Sequence, residues 1–221
     1  MKKIFLFFAA VAMTAGVMSA QDINQATEAY NNGAMELQMG NNAAAVENFK
    51  TALTMGEALG DEGADLVANC KKAISSAYLS MAKDLYNAKD FDGAVTAFQQ
   101  AKEVAEGYGE AEIAAEAGEL IGQTEMLKYN TAGKEAMKAK DYPTAIANFS
   151  KVLEMDPANG GVAIQLGQAY MRAGQLDESI AALETAKANG EEENAAKLLS
   201  NIYLKKAQAS SKAKKYQEVI D

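Results

Sequence analysis

The chain has 221 residues, with 21 basic against 30 acidic side chains for a formal net charge of −9, no histidine, no tryptophan and a single cysteine. Such a balance makes nucleic acid a poor partner, and the missing histidine removes the commonest general base and the commonest zinc ligand. Cys70 alone cannot close an internal disulfide, so packing must hold the fold together.

In chain order, the first element is a leader. "MKKIFLFFAAVAMTAGVMSA" (1–20) has a Lys2-Lys3 head, an apolar run and a small-residue end, the pattern of an export signal cleaved after Ser19 or Ala20. The run from Ile4 to Met18 is shorter than the roughly 20 residues a spanning helix needs, and no cysteine near the cleavage site offers a lipid attachment point. Removing the leader leaves 19 basic and 30 acidic residues, a charge of −11. The leader's form points to a bacterial envelope, with the mature chain soluble in the periplasm or outside.

One octet then recurs. "NAAAVENF" (42–49), "FDGAVTAF" (91–98), "YPTAIANF" (142–149) and "LDESIAAL" (176–183) share small or apolar residues at the first, fourth, fifth and eighth places, and "YQEVID" (216–221) begins a fifth copy. That spacing lays four side chains along one stripe of an α-helix. Three residues on, Ala52, Ala101, Val152 and Ala186 continue the stripe. Nine residues before each octet stands a small residue, Gly33, Ala82, Gly133, Gly167 or Ala207, where a second helix can approach closely. A short polar turn such as "KAKD" (138–141) or "RAGQ" (172–175) lies between, so each unit reads helix, turn, helix. Pro157 closes one unit, because a helix cannot run through it and the next must be capped anew.

Copies three and four are 34 residues apart, whereas the earlier spacings are 49 and 51. The additional residues are helix formers with glycine-containing turns, and they read as lengthened helices on both sides of the inter-repeat turn or as an extra short helix. The first copy carries Asn42 where its siblings have an aromatic residue or leucine, as expected of a terminal unit facing solvent.

This pattern resembles the tetratricopeptide repeat, a helix–turn–helix unit of about 34 residues. The likeness is best over 160–193, with Leu166-Gly167, Tyr170, Gly174, Leu176, Leu183 and Ala186, and next best over 126–159, with Tyr129, Gly133, Tyr142, Ala145, Phe149 and Pro157. It implies an all-α fold: a right-handed solenoid of helical hairpins over 21–221, with about four repeats (26–61, 75–108, 126–159 and 160–193), an incomplete fifth (200–221) and lengthened helices in the first repeats. Each hairpin buries its stripe only by stacking on its neighbours.

The resemblance also implies a groove lined by the first helices of successive units. The matching positions are Lys83 and Asn87, Lys134 and Lys138, and Gln168 and Arg172, with Met137 and Met171 adding apolar contacts. Members of each polar pair are four residues apart and share a helix face. Cations gathered in an acidic protein suit an acidic segment or a C-terminal carboxylate of a protein partner; the competing reading is that these are ordinary solvated lysines. The family's carboxylate-clamping constellation is not reproduced position for position.

Other features read as structure. Cys70 falls on a buried stripe with Leu66, Val67, Ile74, Ala77 and Met81. "DEGAD" (61–65) and "EEE" (191–193) precede helical runs, where acids satisfy N–H groups and the helix dipole, and lack calcium-loop spacing. "GYG" (107–109) has neither the strand nor the lysine of a phosphate loop and reads as a turn. The expected function is a non-catalytic scaffold or adaptor for a protein or peptide, without cofactor or metal. The alternative is an envelope assembly component that self-associates through its last unit.

Overall fold

The structure, a computed structural model, describes residues 20–220, with side chains from 22 to 212. The expected leader lies outside the described residues, save for the backbone of Ala20. All regular structure among the described residues is helical: α1 (Ala20–Gln38), α2 (Asn42–Ala58), a 3-10 turn (Gly60–Gly63), α3 (Ala64–Asn87), α4 (Phe91–Tyr108), α5 (Ala111–Ala139), α6 (Tyr142–Met155), α7 (Gly160–Ala173), α8 (Leu176–Ala188) and α9 (Glu192–Ile220). None of these helices is long and apolar enough to cross a membrane.

Each complete octet opens the second helix of a hairpin, at Asn42, Phe91, Tyr142 and Leu176. The fourth and eighth residues are the deepest: Ala45 and Phe49, Ala94 and Phe98, Ala145 and Phe149, Ser179 and Leu183 are all buried, as are Ala52, Ala101, Val152 and Ala186 three residues on. The small residue nine positions before each octet is where the paired helix leans on the eighth residue. A Cβ added to Gly33 would stand 2.7 Å from the Phe49 ring, one added to Gly133 2.6 Å from the Phe149 ring, and one added to Gly167 2.7 Å from Leu183. Ser179 takes the place its siblings give to alanine and is buried without cost in unmet hydrogen bonds, because its hydroxyl donates to the Gly167 carbonyl at 2.6 Å.

The chain forms two compact units, up to Leu120 and from Ile121 onward. In the first, α1 packs on α2, α2 on α3, α3 on α4, and α1 also meets α3. Its core gathers Val46, Phe49, Leu53, Cys70, Ile74 and Ala77, with Tyr30 against Phe49 at 5.3 Å between ring centres. In the second, α6 packs on α7, α7 on α8 and α8 on α9, and α7 also touches α9. One cluster there holds Phe149, Val152, Val162 and Leu166, another Ala163, Leu183, Leu199 and Ile202. Contact between the first helices of neighbouring hairpins, as in α1 with α3 and α7 with α9, builds a wall of first helices within each unit.

The turns inside the hairpins share one backbone. Gly40, Lys89, Lys140 and Gly174 all have positive φ, at 79°, 63°, 62° and 83°. Each donates its N–H to a carbonyl three residues back, and the next residue donates to one five back, as in Lys140 to Met137 and Asp141 to Ala136. This is the left-handed helix-ending motif that favours glycine. A lysine there costs about 1–2 kcal/mol. Both lysine turns are followed by an aspartate that caps the next helix, Asp90 accepting from the Gly93 N–H at 3.0 Å and Asp141 from the Thr144 N–H at 3.2 Å. Asn41 and Gln175, after the glycine turns, make no such bond. A cap worth about 1 kcal/mol offsets much of the lysine's cost.

Three expectations need adjustment. The extra residues of the early repeats do lengthen helices, but unequally: α2 and α4 have 17 and 18 residues against 14 in α6, whereas α3 and α5 have 24 and 29 against 14 in α7. The short-helix alternative appears too, as the 3-10 turn of the first insertion. Asn42 does not face solvent; it is buried, and its amide donates to Asp84 of α3 at 2.8 Å. Among the described residues, the fifth copy forms a single helix. α9 runs unbroken to Ile220 through the expected turn before Tyr216, and Ala207 is exposed. "KAKK" (212–215) lacks the glycine or aspartate that ends the other first helices, and lysine and alanine both favour helix.

Cys70 is buried in the first core, and burial pushes its thiol up to about 11. Gly107 and Tyr108 end α4, and Gly109 caps it in the left-handed region. Asp65, Glu192 and Glu193 sit in the first turns of α3 and α9 and complement the helix dipoles, although no side chain caps α3. Met155, the last residue of α6, is 39% exposed.

Candidate functional site

The residues expected to line a groove divide between the two units. Lys83 and Asn87 belong to the first. Lys83 on α3 is engaged by Glu116, with Nζ 2.6 Å from Oε1, and Asn87 is the exposed last residue of α3. The other six belong to the second unit, and five of them meet. Met137 and Lys138 from α5 and Gln168, Met171 and Arg172 from α7 line one depression of about 340 Å³, joined by Lys140 and Tyr142 from the turn and start of α6 and by Leu198 from α9. Lys134, one turn before Lys138 on α5, is exposed and is not part of that lining.

The local fold places these groups. Positions 137 and 138 lie four and five residues after Gly133, whose close approach to Phe149 fixes the α5–α6 hairpin; 171 and 172 lie equally far after Gly167, which rests on Leu183. The same register thus projects a methionine and a cation from each hairpin. Met137, Met171 and Leu198 are half-buried and supply apolar wall, while Lys138, Lys140 and Arg172 are exposed.

Cations elsewhere in the chain divide between paired and unpaired, and those around this depression belong to the unpaired set. Lys50 pairs with Glu47, Lys151 with Glu154, Lys197 with Glu193 and Lys206 with Asp177. Among the described residues, no ion pair engages Lys134, Lys138, Lys140 or Arg172. Lys134 and Lys138, one helical turn apart on α5, repel by a few tenths of a kcal/mol, a cost that an anion beside them would remove. Donors on a lysine ammonium and an arginine guanidinium suit carboxylate oxygens.

Sequence reasoning missed Lys140, Tyr142 and Leu198. Lys140 and Tyr142 flank the octet boundary, where they read as turn and stripe residues. Leu198 comes from α9, whose register relative to α7 is not the 34-residue spacing of the better copies. A larger depression of about 520 Å³ lies in the first unit between α3 and α4, walled by Tyr78, Met81, Leu85 and Ala97, and no expected groove residue lines it.

The tetratricopeptide repeat family matches residues 136–202, a span that holds every residue lining the cationic depression. No curated protein matches the chain. Among solved structures, the C-terminal TPR-containing domain of a Plasmodium falciparum FK506-binding protein is 21% identical, covering 65% of this chain and 95% of its own at a TM-score of 0.39. MamA of Desulfovibrio magneticus is 20% identical, with coverage of 89% and 94% and a TM-score of 0.32. The TPR2AB domain of yeast Sti1, solved with pHSP90, is 13% identical, with coverage of 85% and 86% and a TM-score of 0.37.

Proposed function

We infer that a chain carrying tetratricopeptide-repeat hairpins over 136–202 serves as a non-catalytic binding scaffold, and that its second unit holds an acidic protein segment in the depression formed by α5, α7 and α9. The observation that carries this reading is the set of cations without carboxylate partners around a pocket walled in part by Met137, Met171 and Leu198, in a chain whose formal charge is −9. Carboxylates of the ligand meet Lys138 and Arg172, and an apolar side chain rests among Met137, Met171 and Leu198.

The double substitution Lys138→Glu with Arg172→Glu tests it. Affinity for a synthetic acetylated peptide of alternating glutamate and leucine, measured by calorimetry, falls by about tenfold or more, since both favourable charges become repulsive. Unchanged affinity contradicts the reading. Export to the envelope belongs to the same proposal and rests on the leader sequence; mass spectrometry of the protein from its host then finds a mature chain beginning at residue 20 or 21, and an intact Met1 on the bulk of the protein refutes export.

Self-association is a second reading, favoured by one observation: α9 exposes Tyr203 by 52% and Leu204 by 58%. Under that reading the sedimentation coefficient rises with concentration and Tyr203→Ser with Leu204→Ser abolishes the rise; a constant value over the range excludes it.

A further inference from the structure

Lys140 combines two properties that no other residue of the hairpin turns shares. Its backbone occupies the left-handed region at φ 62°, where the matching turns of α1–α2 and α7–α8 carry Gly40 and Gly174. Its side chain also lines the cationic depression together with Lys138 and Arg172. Strained backbone persists where surrounding structure over-determines it, and it gathers at binding sites.

Strain by itself assigns nothing, as Lys89 shows. Lys89 has φ 63°, the same pair of backbone bonds and the same capping aspartate, yet it is exposed in the first unit and lines neither the depression between α3 and α4 nor a shallower one beside the Gly40 turn. The capping aspartate makes a lysine tolerable in such a turn, and the pocket gives the lysine at 140 something to do. A glycine there would relieve the backbone and remove the third cation from the rim. The turn holds that cation on a backbone fixed by the Lys140-to-Met137 and Asp141-to-Ala136 hydrogen bonds, so its stem starts from a defined point beside Tyr142.

We propose that Lys140 is a ligand-binding residue of the second unit's pocket, held in a glycine-favouring turn because its ammonium completes the cation cluster with Lys138 and Arg172. This rests on the reading of that pocket as an anion-binding site, and it deepens that reading: Lys138 and Lys140 from the end of α5, facing Arg172 of α7 across the depression, select a ligand with neighbouring carboxylates over one with an isolated charge.

Four proteins and one probe test it. Wild type, Lys140→Gly, Lys140→Arg and Lys89→Gly are compared for thermal midpoint and for calorimetric affinity toward the acetylated glutamate–leucine peptide. Lys140→Gly raises the midpoint by about 2 °C and weakens binding about fivefold. Lys140→Arg, which keeps both charge and strain, binds as wild type does. Lys89→Gly raises the midpoint similarly and leaves binding unchanged. If Lys140→Gly binds like wild type while Lys138→Glu with Arg172→Glu does not, the role of Lys140 is overturned and the pocket reading stands. Equal weakening by Lys89→Gly also overturns it, since the effect would then be global. A wild-type protein that does not bind the peptide overturns the pocket reading and this assignment together.

Discussion

Gly133 and Phe149 divide one contact between two helices: the ring is fully buried, and it fills the space a side chain at 133 would need. Gly133→Ala therefore lowers unfolding free energy by about 1–3 kcal/mol, because the buried ring has no room to yield. Gly118, inside α5, has open space where a methyl group would stand, so Gly118→Ala raises stability by about 0.5–1 kcal/mol through helix propensity alone. Urea unfolding of the two variants separates them, and equal shifts would refute the close-approach explanation. Cys70 supplies a pH test. Its thiol is pushed from 9.0 up to about 11 by burial, so the folded state favours the neutral form. This contribution to stability is complete below about pH 9 and is lost as pH rises toward 11. At neutral pH the thiol reacts with iodoacetamide only as fast as the chain opens, and rapid alkylation of the native protein would contradict its burial.

At the scale of elements, the octets were legible because a stripe at helical spacing leaves a strong periodic trace, and each complete one does open a second helix. The extra residues of the early repeats were legible only in amount. Their placement, mostly at the N-terminal ends of α3 and α5, depends on where the turns fall, and alanine- and glutamate-rich segments extend a helix in either direction equally well. Asn42 was misread because its burial depends on Asp84, 42 residues away, which no local pattern reveals. The cationic depression was half legible: the resemblance to a known repeat pointed to Met137, Lys138, Gln168, Met171 and Arg172, which line it together, whereas Lys140 and Leu198 join it through the turn and through α9. Two predictions belong here. Asp141→Ala removes the cap on α6 and costs about 1 kcal/mol in thermal unfolding. In α9, Ala195, Leu199 and Ile202 are buried whereas residues 203–212 are exposed, so amides after Tyr203 exchange hydrogen much faster than those of 195–202. Uniform protection along α9 would mean that its second half is covered.

At the scale of the whole molecule, the acidic composition and the unpartnered cations of the second unit describe a protein whose charge is arranged rather than merely negative. Hairpins that bury their stripes against neighbours leave the first helices free to present side chains, and partner choice then resides in those exposed groups and not in the fold. The most direct test is a titration of isotope-labelled protein with poly-L-glutamate, followed by amide chemical shifts. The account predicts perturbations concentrated at Lys138, Lys140, Gln168 and Arg172, weakening as salt is raised. Shifts spread evenly over solvated lysines such as Lys72 and Lys187, or none near the pocket, would contradict it.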